Sequence, residues 1–322
     1  MNMIDLAPDA LALYELPEAA TATLTLLRHN ENRTYRVACG GQAYCLRIKQ
    51  PVAGFDLSVL GGDPEALLEG ELDLLDILRR ETDLVVPEPV PSRTGRKVVR
   101  LRDGSLASLL IWLDGVPFDS AERTAPMLFE AGRTLATLRT AAESHPEWNA
   151  VPRLSYDRAL AERLIERAQR ATGILPAETV ASMVAALEQI ARVMEEQERS
   201  EGRHLSHADP GFGNLVWTGD KVGLIDWSLS GSAPSCMDLG GLMGATADRA
   251  EQHRLLEGWE SVRGTTDRRC LDACFGLSVL LFVCCQYPRA REWTDWFPAA
   301  LTRWNETIFT PLAEGRRLTC IL

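Results

Sequence analysis

The polar and apolar positions of this chain change period several times, and each change marks an element. After a stretch at 4–20 broken by Pro8 and Pro17, the runs 22–27, 34–38 and 43–48 read as three strands. The polar segment 28–33 and the pair Gly40-Gly41 link them, which predicts an antiparallel meander. The period then becomes helical. Asp63 followed by Pro64 is a helix start signal, and Leu67, Leu68, Leu74, Leu75 and Leu78 form one stripe at helical spacing. Glu71 falls inside that stripe, whereas Glu65, Glu69 and Asp73 lie off it. A carboxylate on a buried face needs a partner. A proline-stiffened connector at 85–91 leads to two further strands, 97–101 and 106–112, joined at Asp103-Gly104. From Ser120 onward the pattern is mainly helical, with helices expected at 125–140, 157–170, 178–199, 249–262, 269–285 and about 298–312.

One stretch, Leu205 to Leu239, interrupts the helices. Two short apolar runs, 215–217 and 222–225, flank Thr218-Gly219-Asp220-Lys221 and predict a tight hairpin. Asn214 stands before its first strand and Asp226 after its second, so the hairpin brings the two together. Amide and carboxylate oxygens are hard ligands suited to Mg²⁺ shared with phosphates. His207 and Asp209 precede Asn214 in the spacing H-x-D-x-x-x-x-N of a kinase catalytic loop. There the Asp receives a hydroxyl proton, the Asn holds metal, and a second metal-binding carboxylate follows a hairpin, as Asp226 does. Taken singly, Asp209 reads as a turn former ahead of Pro210-Gly211, and His207 as a core histidine bracing the loop. Spacing and hairpin together favour the kinase-type site.

The segment HADPGFGN, with Ile225-Asp226-Trp227 after it, resembles the aminoglycoside phosphotransferase and choline kinase-like superfamily of small-molecule kinases. Asp238-Leu239-Gly240 resembles the downstream Asp-Leu-Ala of that superfamily, and Ala208 stands where many members have Gly. The resemblance implies an α+β, two-lobed, protein-kinase-like fold. Residues 1–113 would form a nucleotide-binding lobe with an antiparallel five-stranded sheet and a helix, and 114–322 a mainly helical catalytic and substrate-binding lobe. The hinge would lie at about 110–115, where the backbone around Ile111 and Leu113 would meet adenine.

The resemblance also assigns roles. ATP and Mg²⁺ would be the cofactors, Asp209 the base, Asn214 and Asp226 the metal ligands, and His207 and Asp238 supports of the loop. HNENRTYRV resembles the superfamily's glycine-free phosphate loop, in which Asn32 or Thr34 would donate to phosphate. Arg47 occupies the place of the phosphate-neutralising Lys or Arg, with Lys49 on the same face as second choice. Glu71 would pair with Arg47. The acceptor hydroxyl is left open among an aminoglycoside or other antibiotic, an amino alcohol, a homoserine-like amino acid and a sugar. Two other classes stay in view: a silent nucleotide-binding protein, and a metal-dependent hydrolase using His207, Asp209 and Asp226.

Composition narrows the picture further. The 322 residues are 46% hydrophobic and 25% charged, ordinary for a globular protein long enough for two cores. A net charge of −11 argues against nucleic acid or an anionic membrane surface as partner. No run of 18 uninterrupted apolar residues predicts a membrane span, and the acidic start lacks the basic region of a secretory signal. Eight scattered cysteines without CxxC pairs read as small core side chains rather than a metal cluster. A cytoplasmic monomer or homodimer acting on a small molecule is the expectation.

Overall fold

The computed structural model describes residues 6–17, 21–54, 56–290, 292 and 295–322. Part of the stretch at 4–20 and Trp293 lie outside the described residues. After the short helix α1 (Ala7–Leu11), strands β1 (Thr23–His29), β2 (Arg33–Cys39) and β3 (Gln42–Ile48) form the expected meander. Helix α2 (Pro64–Glu81) starts at Asp63, whose side chain accepts from the Ala66 amide at 2.8 Å. Two short strands, β4 (Pro89–Val90) and β5 (Val98–Arg100), then pair with successive parts of one edge of β6 (Leu106–Ile111). The other edge of β6 pairs with β3. The five expected strands are therefore joined by a sixth, from the proline-stiffened connector. Pro89 lacks an N–H to donate, which suits it to this edge position.

The sheet has two different faces. Tyr44, Leu46 and Ile48 of β3, with Tyr35, Val37, Ala107 and Leu109, bury a small core beneath α1. On the opposite face, Leu106 and Leu110 join the main core, which includes Leu72, Leu74, Leu75 and Leu78 of α2. Arg47, flanked in β3 by Leu46 and Ile48, falls on this second face by strand alternation. Leu67 and Leu68, expected in the α2 stripe, are only half-buried, whereas Glu71 is 2% exposed.

The rest of the chain is helical apart from short ladders. Strand β7 (Val116–Pro117) leads to α3 (Ala125–Ser144), β8 (Leu154–Ser155), α4 (Arg158–Gln169), α5 (Ala177–Glu201) and β9 (His204–Ser206). The predicted hairpin is β10 (Leu215–Trp217) with β11 (Val222–Leu224), closed by the Thr218 amide donating to the Lys221 carbonyl at 3.0 Å. After β12 (Gly231–Ala233) come α6 (Met237–Met243), α7 (Arg249–Arg263), α8 (Arg268–Gln286), α9 (Phe297–Trp304) and α10 (Thr310–Ala313). The helix expected at about 298–312 is thus divided by a π-helical turn, Asn305–Phe309, just before Pro311.

Helix α8 is the one helix among the described residues long and apolar enough to cross a bilayer, and 83% of its apolar window is buried inside the fold. Polar residues interspersed along it hid this length from a search for an unbroken apolar run. Its Cys270, Cys274, Cys284 and Cys285 are buried and all eight cysteines are free, as small core side chains.

Helices α3 and α7 cross at two glycines. A Cβ on Gly132 would run into the Leu255 carbonyl, and one on Gly258 into the Phe129 carbonyl. Gly132→Ala is therefore expected to lower stability by about 3 kcal/mol through overpacking. Denaturant unfolding checks this, and a midpoint equal to wild type would show that the helices can part freely.

Candidate active site

The loop between β9 and β10 is held from below by one carboxylate. Asp238, in the first turn of α6 and 1% exposed, accepts the Ala208 amide at 2.7 Å and the His207 amide at 3.1 Å. Burial pushes the Asp238 pKa up to about 6, while the two amide bonds act to lower it. Between those amides Ala208 adopts φ 64°, a left-handed conformation that costs a residue with a Cβ about 1 kcal/mol. The residue type common at this place in the resembling superfamily, Gly, adopts it without that strain.

His207 is fully buried, and its Nε2 lies 2.9 Å from the Ile225 carbonyl. That partner makes Nε2 the protonated nitrogen, leaving Nδ1 to accept the Asp209 amide at 3.4 Å. Its ring packs edge-on against Trp227 at 4.7 Å. Burial lowers its pKa to about 4, so it is neutral at pH 7. With both nitrogens engaged by backbone, His207 braces the loop and has no free position for a metal.

Asp209 is half-buried, and Asn214 grips it twice. The Asn214 Nδ2 donates to the Asp209 carbonyl and to Oδ2, each at 2.9 Å. Burial first and the nearby Asp226 next raise the Asp209 pKa to about 7, against the lowering effect of the Asn214 hydrogen bond. The hairpin returns the chain so that the Ile225 amide donates to the Asn214 carbonyl at 3.0 Å. Asp226 follows with φ 59°. Its Oδ1 is buried without a hydrogen bond and lies 3.7 Å from Arg47 Nη1.

Arg47 meets Glu71 as the helical stripe required, with Nη2 2.7 Å from Oε1. Both side chains are more than nine-tenths buried. Burial alone would lower the Arg47 pKa, but Glu71 and Asp226 together hold it above its ordinary value. The contact is a charge pairing without hydrogen-bond alignment: Arg47 Nε and Nη2 and Glu71 Oε1 are buried with no hydrogen-bond partner.

Arg47, Asn214 and Asp226 line a cleft of about 280 Å³ whose walls also include Thr34, Ile111 and Leu113. At its far end the Ile111 amide is taken by the Glu88 carbonyl and the Trp112 amide by that of Ala43. The Leu113 amide makes no hydrogen bond among the described residues. Of the two hinge positions, it is Leu113 that has an N–H to offer. Asn32 and Lys49 fall elsewhere. Both line an adjoining cavity; the Asn32 amide donates to Glu31 at 3.0 Å, and Lys49 lies 3.8 Å from the same carboxylate.

Two residues at the site gave no sequence signal. Glu31 lies in the polar turn 28–33, and its pKa is raised by burial and then by Asp226. Arg153 donates to Ser230 Oγ at 2.9 Å, to the Trp227 and Ser228 carbonyls at 2.6 and 2.8 Å, and to the Leu67 carbonyl. It ties α2 to the turn after Asp226.

The sequence matches the Phosphotransferase enzyme family over residues 23–274, most of its length. The chain belongs to that family. It is a small-molecule kinase of the phosphotransferase type. Solved structures share its fold from end to end. A microcompartment-associated aminopropanol kinase has a TM-score of 0.72 at 24% identity, over 95% of this chain and 99% of that one. Amicoumacin kinase hAmiN, in complex with AMP-PNP, Ca²⁺ and Ami, has 0.70 at 15%, over 96% and 92%. An aminoglycoside phosphotransferase from Alicyclobacillus acidocaldarius has 0.56 at 15%, over 98% and 97%. A search of curated protein sequences finds no match.

The donor set fits a hard cation. Asp226 Oδ1 is an orphaned buried oxygen, and Asn214 keeps its Oδ1 while Nδ2 holds Asp209. Among the described residues no three His, Cys, Asp or Glu converge as a metal cage. Mg²⁺ needs none, since substrate phosphates and water complete its shell.

Breaking a buried charge pair strands the surviving charge. Glu71→Ala is expected to cost on the order of 3–5 kcal/mol in folding stability by leaving Arg47 uncompensated. Urea unfolding of the variant checks it; a loss within ordinary surface-mutation range would mean that Asp226 alone can neutralise Arg47.

Proposed function

We propose that this kinase transfers the γ-phosphoryl group of ATP to a hydroxyl of a small molecule, with Asp209 as the base. The observation that carries the reading is a cleft lined by Arg47, Asn214 and Asp226, with Asp209 hydrogen-bonded to Asn214. A base needs a pKa near the working pH, and that of Asp209, raised to about 7, meets the requirement. The acceptor oxygen forms a bond to the γ-phosphorus as the bond to the ADP oxygen breaks, and its proton passes to the Asp209 carboxylate. Asn214 fixes that carboxylate with one N–H and keeps its carbonyl oxygen for the cation. Mg²⁺ held by Asn214 and Asp226 would neutralise charge building on the phosphates. Arg47, oriented by Glu71, draws the phosphates to the same end of the cleft. The unpaired Leu113 amide supports a role in meeting adenine, with the division between nucleotide-binding and catalytic lobes proposed near residue 113. His207 and Asp238 shape the loop and touch no reacting atom.

The acceptor stays open among the antibiotic, amino alcohol, homoserine-like and sugar classes, as does a role in resistance or in metabolism. A cytoplasmic monomer or homodimer is the form proposed, supported by the free cysteines. The hydrolase alternative is weakened by His207, whose ring nitrogens are both spent on the backbone.

ATP consumption with Mg²⁺ across a panel of hydroxyl acceptors, aminopropanol among them, tests the reading beside Asp209→Ala. An acceptor-dependent signal is expected, falling by about 10²–10⁴-fold in the variant with nucleotide binding retained. Turnover that survives in Asp209→Ala would remove Asp209 from its role. With the active acceptor, kcat/KM should rise with pH through the elevated Asp209 pKa of about 7, because only the carboxylate accepts a proton. A profile flat from pH 5 to 8 would show that this ionisation does not control the step.

A further inference from the structure

A second cavity, of about 360 Å³, adjoins the nucleotide cleft and shares Arg47 with it as a wall. Its size lies within the range of small-molecule sites. Its apolar part includes Leu57, Leu67, Leu68, Leu106 and Leu229, and its lining also contains Gly61 and Gly62, both exposed. Leu57, Leu67, Leu68 and Leu229 are only half-buried. All four pack against the main core on one side and line this space on the other.

The polar part holds groups that lack partners. Ser108, opposite Arg47 in the β3–β6 ladder, is fully buried and its hydroxyl has no hydrogen-bond partner. Arg47 Nε is likewise buried without a hydrogen bond, and Nη2 meets only the Glu71 carboxylate. Buried polar groups are rarely left unsatisfied without a reason, and these are donors. Charge points the same way. Glu71 pairs with Arg47 and Glu31 with Lys49, leaving Arg153 as a third cation. Arg153 is bound to carbonyls and a hydroxyl, and to no carboxylate among the described residues. The cavity lining therefore holds three cations against two carboxylates, with Asp226 on the other side of Arg47, beside unused donors and an apolar wall.

We propose that this cavity is a second ligand site, which takes a small monocarboxylate with an aliphatic or aromatic body. The carboxylate accepts hydrogen bonds from Ser108 Oγ and Arg47, and the body packs against the leucines. Because the ligand shares Arg47 with the phosphate end of the cleft but not the hinge end, it binds together with nucleotide rather than in its place. It bears on the Arg47–Glu71 pair, which makes the cavity a place from which turnover can be adjusted.

Isothermal titration of the full chain with phenylacetate tests this, with phenethylamine as the charge-reversed control, each with and without AMP-PNP. Phenylacetate should bind in both states, and phenethylamine about tenfold more weakly or not at all. Leu68→Trp, which fills the cavity, should abolish phenylacetate binding and keep AMP-PNP binding. Ser108→Ala, a milder change, should weaken phenylacetate several-fold. The proposal is overturned by no phenylacetate binding up to about 10 mM, a concentration beyond which binding is too weak to be specific. It is equally overturned by phenethylamine binding as well as phenylacetate, by displacement with AMP-PNP, or by binding unchanged in both variants.

Discussion

A guanidinium on a sheet face otherwise given to aliphatic packing is tolerable only where carboxylates meet it, and the arrangement around Arg47 follows from that constraint. Glu71 must come within contact of it at 2.7 Å, which fixes how α2 is rotated and how far along the sheet it sits. Asp226 approaches from a different part of the chain at 3.7 Å. A buried charge pair adds little net stability compared with apolar residues of the same volume, but a misplaced one is heavily penalised. The pair therefore acts as a registration device. Strand, helix and catalytic turn can assemble in one relative position, and in that position a cation lies along the wall of the cleft.

Arg153 extends the same constraint by other means. It uses backbone carbonyls as acceptors, one on α2 and two on the turn after Asp226. The Trp227 carbonyl also accepts the Ser230 amide at 3.0 Å and the Ser230 hydroxyl at 2.8 Å, so the guanidinium reinforces the turn while joining two elements distant in sequence. The element that carries Glu71 and the turn that carries Asp226 are thus linked twice, once through Arg47 and once through Arg153. Movement of either would have to break both.

Much of this was legible in the sequence because it is periodic or local. The helical stripe placed Glu71 inward, Asp63-Pro64 marked the start of α2, and the hairpin between 215 and 225 brought Asn214 towards Asp226. What was not legible depends on tertiary partners that leave no spacing. Arg153 bonds to main-chain atoms, which any residue supplies. Glu31 lies among polar neighbours in a turn, and only the fold buries it. Leu67 and Leu68 satisfied the apolar stripe as well as Leu74 did, since periodicity reports a face and not whether that face meets a core or a cavity. Asn32 was drawn towards phosphate by its loop, but its amide is spent on Glu31.

The catalytic loop shows why its residues are hard to read one at a time. Ala208 and Asp226 are the non-glycine residues with positive φ among the described residues, and both sit in this segment. Each such conformation costs about 1 kcal/mol or more and persists only where the surroundings over-determine it. Asp238 supplies that for Ala208 through two amides, and the Arg47 contact and the Arg153-held turn supply it for Asp226. In this arrangement the Asp226 carboxylate lies near enough to Asp209 to make the Asp209 charge more costly. That cost appears in the raised pKa of Asp209, to which burial contributes most and Asp226 next. The backbone strain, the buried carboxylate beneath the loop and the elevated basicity above it are one arrangement. Its stability is lowered by the burial of the Asp209 carboxylate and, next, by its proximity to Asp226, which together give Asp209 an affinity for a proton near neutral pH.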